Sequence, residues 1–595
     1  MNKNCYITNY LLSLSERSYR TNNGDFQIGF DWIIYKYGLI KNWQPVRYPF
    51  NIEPSGNIVS HKTEAEYGID LSFYDVETNT IIVFLLKADR LNYKNWTEKN
   101  FDYDLRRAVN PNFSDIEIDI NSIKTYKIIT VYNKNDDRKG VECYENFVSS
   151  SNTFIYNNIN VEFERWNIDR LTKEVNDNLL TADILPNNLS GLFSYISLQV
   201  ADFEYGTKKW ENQLIPNWNN FLDQVFITGI DERKLNLIPF SLIILKGAFK
   251  DYNSAKIGWI DLIEYSMIKL WDLYPKLSRK LKSIVTSIWL DFYINELIIY
   301  FNENEKILTL AYGLTIRTAC LSVNVVSTAY VVFWHIARLG ILFLSFLDIQ
   351  DEIIRNKYID YCSNYLKRFI DSNPNSYYPL IDINHIELYL IFVILLVSKN
   401  TNYLYNYFTT LGNFLCVRRA NKVRVPFIES HNRIDLVAEY VATNEIPLEW
   451  SSKSSYLLTM LLEMFIAFDK ERAIKLIKYY FNEIINSPNN DKEDSIDLVS
   501  WYPDEDWYEN VFKNLDNYGG TGVSTSNFAD FKPEEESKID IIKQFMLEAR
   551  SRDIDLSEIK RPISAYLLAS LKNQIPLPPE FWRVFILGSK LQPNN

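Results

Sequence analysis

Cysteine is scarce in this chain. The five present, Cys5, Cys143, Cys320, Cys362 and Cys416, are scattered through 595 residues without pair spacing. That argues against a disulfide framework and points to a reducing cytoplasm. Basic charge is short as well: 63 Lys and Arg stand against 75 Asp and Glu, a formal charge of −12. A chain of that balance has no overall electrostatic pull on a polyanion, so any nucleic-acid contact needs a local basic cluster. The N-terminal stretch MNKNCYITNY lacks the apolar core of a signal peptide. Long hydrophobic runs are few. Val325 to Leu347 is long enough to span a bilayer but carries His335 and Arg338 near its middle, and Leu388 to Ser398 is too short. Both are expected as buried helices, with no membrane partner.

What is abundant is apolar and aromatic surface, 47% and 15% of residues, enough for burial to offset chain entropy over long stretches. The chain is too long for one ordinary core. Residues 25–38 place Phe26, Phe30, Ile33, Ile34 and Tyr37 on one helical stripe, with Asp25 available as N-cap and Gly38 as terminator. Two extended runs follow, Ile69 to Tyr74 and Thr80 to Ala88, joined by the turn-like VETN. Further strands are expected at Lys124 to Val131 and Asn160 to Phe163, and helices at Val141 to Val148 and Asn167 to Val175. The order predicts a compact domain over residues 1–178 and a linker over 179–205. Beyond that, periodicities such as Trp259 to Leu273, Lys280 to Asn302, Tyr377 to Val397, Ser454 to Phe468 and Glu471 to Ile485 predict a mostly α-helical region over 206–595, with room for two subdomains. The fold class is therefore α+β. Residues 514–538, rich in Gly, Ser and Glu, predict an exposed loop.

Chemistry concentrates at Glu66 to Arg90, EYGIDLSFYDVETNTIIVFLLKADR. If the turn centres near Glu77 and Thr78, antiparallel register sets Asp70 opposite Leu85, with Lys87 one diagonal step away on the same face. A carboxylate beside a lysine across two strands suits metal-assisted phosphodiester hydrolysis. The carboxylate holds a hard cation, and the ammonium orients water or offsets developing negative charge.

These residues resemble the PD-(D/E)xK superfamily of restriction-endonuclease-like proteins, in branches whose motif is Gly, an aliphatic residue and Asp, then a turn, then an apolar strand ending in Glu or Gln, any residue, and Lys. The matching positions are Gly68, Ile69 and Asp70, then Ile81 to Phe84, then Leu85, Leu86 and Lys87. The resemblance covers residues 1 to about 175. It implies a restriction-endonuclease-like α/β/α core, Mg²⁺ or Mn²⁺ as cofactor, Asp70 as metal ligand, the Leu86 carbonyl as a second ligand and Lys87 as the catalytic lysine. Glu16 and Glu66 are the candidates for the further acidic residue some branches use. It also implies a nucleic-acid substrate, DNA ahead of RNA, and a setting in bacterial anti-phage defence, the helical region acting as sensor, scaffold or binding surface for a protein partner or a second copy. The departure is Leu85, which has no oxygen where the family has Glu or Gln. Two readings stay open: a metal-dependent nuclease, or a catalytically inactive pseudonuclease that binds nucleic acid or protein.

A local basic cluster follows the hairpin: Arg90, Lys94, Lys99, Arg106 and Arg107, with Tyr93, Trp96, Phe101 and Tyr103 interleaved, a mixture able to meet phosphates and stack on bases. The alternative is a solvated loop partly neutralised by Asp89, Asp102 and Asp104. Other features are weaker. His61 lies near the site, and a lone surface His is more often inert. Arg424 and His431 have a spacing similar to a HEPN ribonuclease motif, but Pro426 interrupts the helix it requires. GGTG at Gly519 to Gly522 lacks the lysine of a phosphate-binding loop. His335 and His385 sit among apolar neighbours as core residues, and no zinc, haem or flavin signature occurs.

Overall fold

The computed structural model describes residues 4–587 apart from 21–25, 48–49, 53–57, 62–68, 100, 110–121, 151–154, 157–158, 250–252, 315–320, 348, 350, 421–438, 440–442, 444, 446–453, 487–494, 504–506, 514–519 and 525–558. It separates into two compact units, Met1–Ser266 with Leu277–Ile288, and Met267–Lys276 with Trp289–Asn595. The fold is α+β, with a mixed sheet towards the N-terminus and helices dominating thereafter.

The first unit runs α1 (Asn4–Ser13), a small hairpin β1 (Tyr19–Arg20) and β2 (Phe26–Gln27), α2 (Phe30–Ile40), β3 (Gln44–Arg47), a second hairpin β4 (Phe50–Ile52) and β5 (Ile58–His61), then β6 (Leu71–Asp75) and β7 (Thr80–Lys87). It continues through α3 (Tyr93–Glu98), α4 (Phe101–Ala108), β8 (Thr125–Tyr132), α5 (Arg138–Ser150), β9 (Ile155–Tyr156), β10 (Ile159–Trp166) and α6 (Ile168–Asn178). The main sheet has six strands in the order β3-β6-β7-β8-β10-β9. β3, β6 and β7 form an antiparallel meander, β7, β8 and β10 are parallel, and β9 is antiparallel to β10. The parallel step from β7 to β8 needs a crossover, which α3 and α4 supply.

Alternation along β6 and β7 divides the core. One face carries Tyr74, Ile81, Val83 and Leu85 into a cluster with Leu91, Phe101, Leu105, Tyr126 and Tyr144. The other carries Phe73 and Phe84 against Trp43 and Trp166, and Tyr37 of α2 meets Trp166 edge-on at 5.3 Å. The turn closes as its residues dictate. Asp75 accepts from Glu77 N at 3.0 Å and from Thr78 Oγ1 at 2.7 Å, and Asn79 takes the left-handed conformation at φ 54°.

The helix expected over 25–38 begins later and ends later, at Phe30–Ile40 with Gly29 as N-cap. Its entry is set by Asp31, fully buried, which accepts from Ser18 N at 3.0 and 2.9 Å and Ser18 Oγ at 2.5 Å, while Ser18 Oγ accepts from Gly29 N at 2.9 Å. Asp25 lies outside the described residues. Gly38 does not terminate α2. It lets the helix press on the sheet, since a Cβ there would lie 2.4 Å from the Phe73 ring.

Residues 179–205 hold a 3₁₀ turn, Ala182–Ile184, and α7 (Asn187–Asp202); α8 (Ile215–Phe226) and α9 (Glu232–Lys246) follow within the first unit. α9 packs on α1, where Phe240 stacks on Tyr10 at 4.4 Å.

The second unit is built on helices Asn295–Leu308, Leu321–Leu347, Glu352–Ser372, His385–Val397, Thr401–Ala420, Tyr456–Phe465, Lys470–Tyr480 and Ile563–Asn573. Two segments, Arg279–Leu308 and Thr328–Leu347, are long and apolar enough to cross a membrane by length and composition; 83% of the second is buried within the protein, as in a core helix. The helix expected over 377–397 starts only at His385, after 3₁₀ turns Pro374–Tyr377 and Ile381–Asn384. Strand is not absent here. Ser454–Ser455, Asp497–Pro503 and Gly520–Ser524 form a three-stranded sheet, and Gly520 and Gly522 pair with Pro503 and Trp501, so the described part of GGTG, Gly520 to Gly522, lies in a strand. Most of 514–538 lies outside the described residues.

Candidate active site

β6 begins one residue after Asp70, whose backbone N–H still reaches Phe84 O at 3.1 Å. Leu71 pairs with Phe84, so the ladder continued by one residue sets Asp70 beside Leu85. Here β7 outruns β6, and its freed edge is capped by carboxylates. Leu86 N donates to Asp70 Oδ2 at 2.7 Å, and Ala88 N donates to Glu16 Oε2 at 3.1 Å. Because a strand residue sends N–H and C=O to the same side, the Leu86 carbonyl also faces this edge.

Glu16 arrives on the turn after α1. That turn is held by its backbone: Phe30 N donates to Ser15 O at 2.9 Å and Asp31 N to Glu16 O at 3.3 Å. Gly29 permits the approach, since a Cβ on it would lie 2.5 Å from the Arg17 carbonyl carbon. Arg17 follows into the site, its Nη2 donating to Asp70 Oδ1 at 3.0 Å with Nε 3.9 Å from Glu16 Oε1.

Lys87 lies on the same face of the sheet as Asp70 and Leu85. Its Nζ donates to Asp104 Oδ2 of α4 at 2.8 Å and sits 5.4 Å from the centre of the Phe101 ring. Burial pulls its pKa down, but the Asp104 hydrogen bond and the charges of Asp104, Asp70 and Glu16 together outweigh it, so the ammonium is held protonated. Asp70 moves the other way for a carboxyl. Burial first and the Glu16 charge second raise it to about 7, against the lowering pull of the Leu86 amide, Lys87 and Arg17.

Asp70, Glu16 and Lys87 thus meet at one end of β7, beside the Leu86 backbone. Glu66 lies outside the described residues, as do the His61 side chain, Arg424 and His431. Two neighbours have no signature in the sequence. Arg17 sits on an aperiodic turn. Asp104 reads as one of three acids diluting a basic stretch; the other two do pair locally, Asp89 with Lys99 and Asp102 with Arg106 at 4.0 Å. Among the cluster expected to meet phosphates, Lys94 lies 3.8 Å from Glu98, Arg106 stacks over Phe147 at 5.3 Å and Arg107 over Tyr103 at 5.5 Å. Arg90, Lys94, Lys99 and Arg106 are exposed, on or beside α3 and α4.

Leu85 is 1% exposed and belongs to the apolar cluster beneath α4. Among the described residues no group of three or more His, Cys, Asp or Glu side chains is placed to hold a metal ion. Leu85→Gln is therefore expected to act in two directions. An amide in this cluster lowers the thermal unfolding midpoint through a cost of about 1–3 kcal/mol, and its oxygen beside Asp70 tightens Mn²⁺ binding measured by calorimetry.

The remaining histidines are core groups. His335 Nδ1 donates to Val331 O at 2.7 Å and Nε2 accepts from Tyr300 OH at 2.8 Å, and burial lowers its pKa to about 4. His385 Nδ1 donates to Asp382 O at 2.7 Å and Nε2 accepts from Leu577 N at 3.0 Å.

No family model, curated protein or solved structure matches this chain.

Proposed function

We propose that the first unit is a metal-dependent nuclease with a restriction-endonuclease-like site, acting on DNA ahead of RNA. The carrying observation is the convergence of Asp70, Glu16 and Lys87 at the end of β7 that runs past β6, with the Leu86 and Ala88 amides bonded to the two carboxylates. A mixed sheet with α4 and α5 against one face and α2 against the other is consistent with the α/β/α core the resemblance implies, which supports the reading.

The donor set fits a hard cation. Two carboxylates and a carbonyl are oxygen ligands of the kind Mg²⁺ and Mn²⁺ prefer. Burial first and the Glu16 charge second raise Asp70 to about 7, so a cation held there would favour its ionised form. When bound, the cation supplies polarisation of the phosphoryl oxygen and a more acidic water. Asp70 and Glu16 would hold that cation together with the Leu86 carbonyl, and Lys87, kept protonated, would stabilise negative charge building on the phosphorane. The exposed cations on α3 and α4 steer the nucleic-acid backbone. The helical unit serves as sensor or scaffold for a protein partner or a second copy, in the cytoplasm, within bacterial defence against phage.

Leu85 favours a second reading, a pseudonuclease that has kept the fold and lost the chemistry. Incubation of supercoiled plasmid and of RNA with the full chain in Mg²⁺ or Mn²⁺, with EDTA controls, separates the two. Metal-dependent scission abolished by EDTA is the expected result. Intact substrates in every metal leave the pseudonuclease.

A further inference from the structure

We infer that Arg17 is a resident counter-ion that a divalent cation must displace from Asp70. The inference rests on the metal-site reading above and deepens it. Asp70 Oδ2 is committed to the Leu86 amide at 2.7 Å, so the oxygen that faces a ligand is Oδ1, and Arg17 Nη2 holds it at 3.0 Å. The same guanidinium lies beside the other carboxylate, with Nε 3.9 Å from Glu16 Oε1. A metal ion bound by Asp70 and Glu16 would meet the guanidinium as a like charge at close range, so the two cannot share the site.

The geometry allows exchange without rebuilding the fold. Asp31, Ser18 and the Gly29 contact pin the backbone of the turn. The Arg17 side chain itself is 43% exposed where that of Asp70 is 9%, so the guanidinium lies on the solvent side of the carboxylate it holds. In the arginine-bound arrangement the guanidinium occupies Asp70 Oδ1 and lies beside Glu16, where a cation would bind. In the metal-bound arrangement the guanidinium is released at the edge of the site.

The test is Mn²⁺ binding to the full chain at pH 8 and low ionic strength, read from the spin resonance signal of free aqueous Mn²⁺. Arg17→Met is expected to bind Mn²⁺ about tenfold more tightly than wild type, the scale on which one nearby charge acts on another. Arg17→Lys, which keeps the charge, stays near wild type. Asp70→Asn removes the binding in both the wild-type and the Arg17→Met background. A gain in affinity cannot come from a misfolded chain. Asp70-dependent binding in wild type that Arg17→Met fails to tighten overturns the inference and leaves the nuclease reading standing. Binding that is absent, or indifferent to Asp70→Asn, in both wild type and Arg17→Met overturns both.

Discussion

Asp70→Ala is expected to abolish the proposed metal-dependent cleavage, and Lys87→Ala to lower its rate by about 10²–10³-fold, the scale measured when one preorganised stabilising group is removed from a developing charge. The two losses have different origins. Asp70 is the proposed ligand of the cation, so its loss is expected to remove metal binding and turnover together. Lys87 is held protonated by Asp104, Asp70 and Glu16. Its loss is expected to reduce the rate at saturating metal while leaving metal affinity the same or tighter. Initial rates across a metal titration separate the two patterns. Asp70→Ala also strips the Leu86 amide of its acceptor, so Asp70→Asn is the companion variant: it keeps an oxygen for that N–H and lacks the charge. Full activity in both Asp70 variants removes the site from consideration.

The second large effect is expected on stability. In the helical unit Glu463 and Arg583 are both fully buried and form a two-pronged ion pair, Nη2 to Oε1 at 2.8 Å and Nε to Oε2 at 3.0 Å, with Trp582 Nε1 adding a third hydrogen bond at 2.6 Å. The pair ties helix Tyr456–Phe465 to helix Glu580–Leu587, near the C-terminal end of the chain. Arg583→Met leaves a buried carboxylate without its counter-charge and is expected to cost about 3–5 kcal/mol. The double change Glu463→Leu with Arg583→Met removes both charges at once and is expected to recover most of that loss. Thermal and denaturant unfolding of the full chain measure both. Equal losses in the single and double variants would mean that packing, not the charge pair, holds these helices together.

Much of the site's scaffold was legible beforehand. The period-2 alternation and VETN were sufficient to pair Asp75 with Thr80 and so to bring Asp70 beside Leu85, because one slip in register would have turned every apolar side chain to the wrong face. The strands at Thr125–Tyr132 and Ile159–Trp166 and the helices at Arg138–Ser150 and Ile168–Asn178 likewise follow from local pattern. The start of α2 did not. Asp25 looks as good a cap as any, and what decides the entry is a contact between Ser18 and Asp31, across the hairpin that precedes the helix. The three-stranded sheet in the helical unit was hidden for a related reason, since its strands are short and its outer one is glycine-rich.

The sequence by itself determined the pairing and register of one hairpin, and that an aspartate and a lysine share one of its faces, because side-chain alternation and turn chemistry are local. The tertiary structure alone decided what stands beside them. Glu16 caps Ala88 across 72 residues, Arg17 reaches Asp70 across 53 and Asp104 takes Lys87 from a crossover helix. Single charged residues on turns carry no period, so their partners are set only when the packed core brings the turns to the sheet edge.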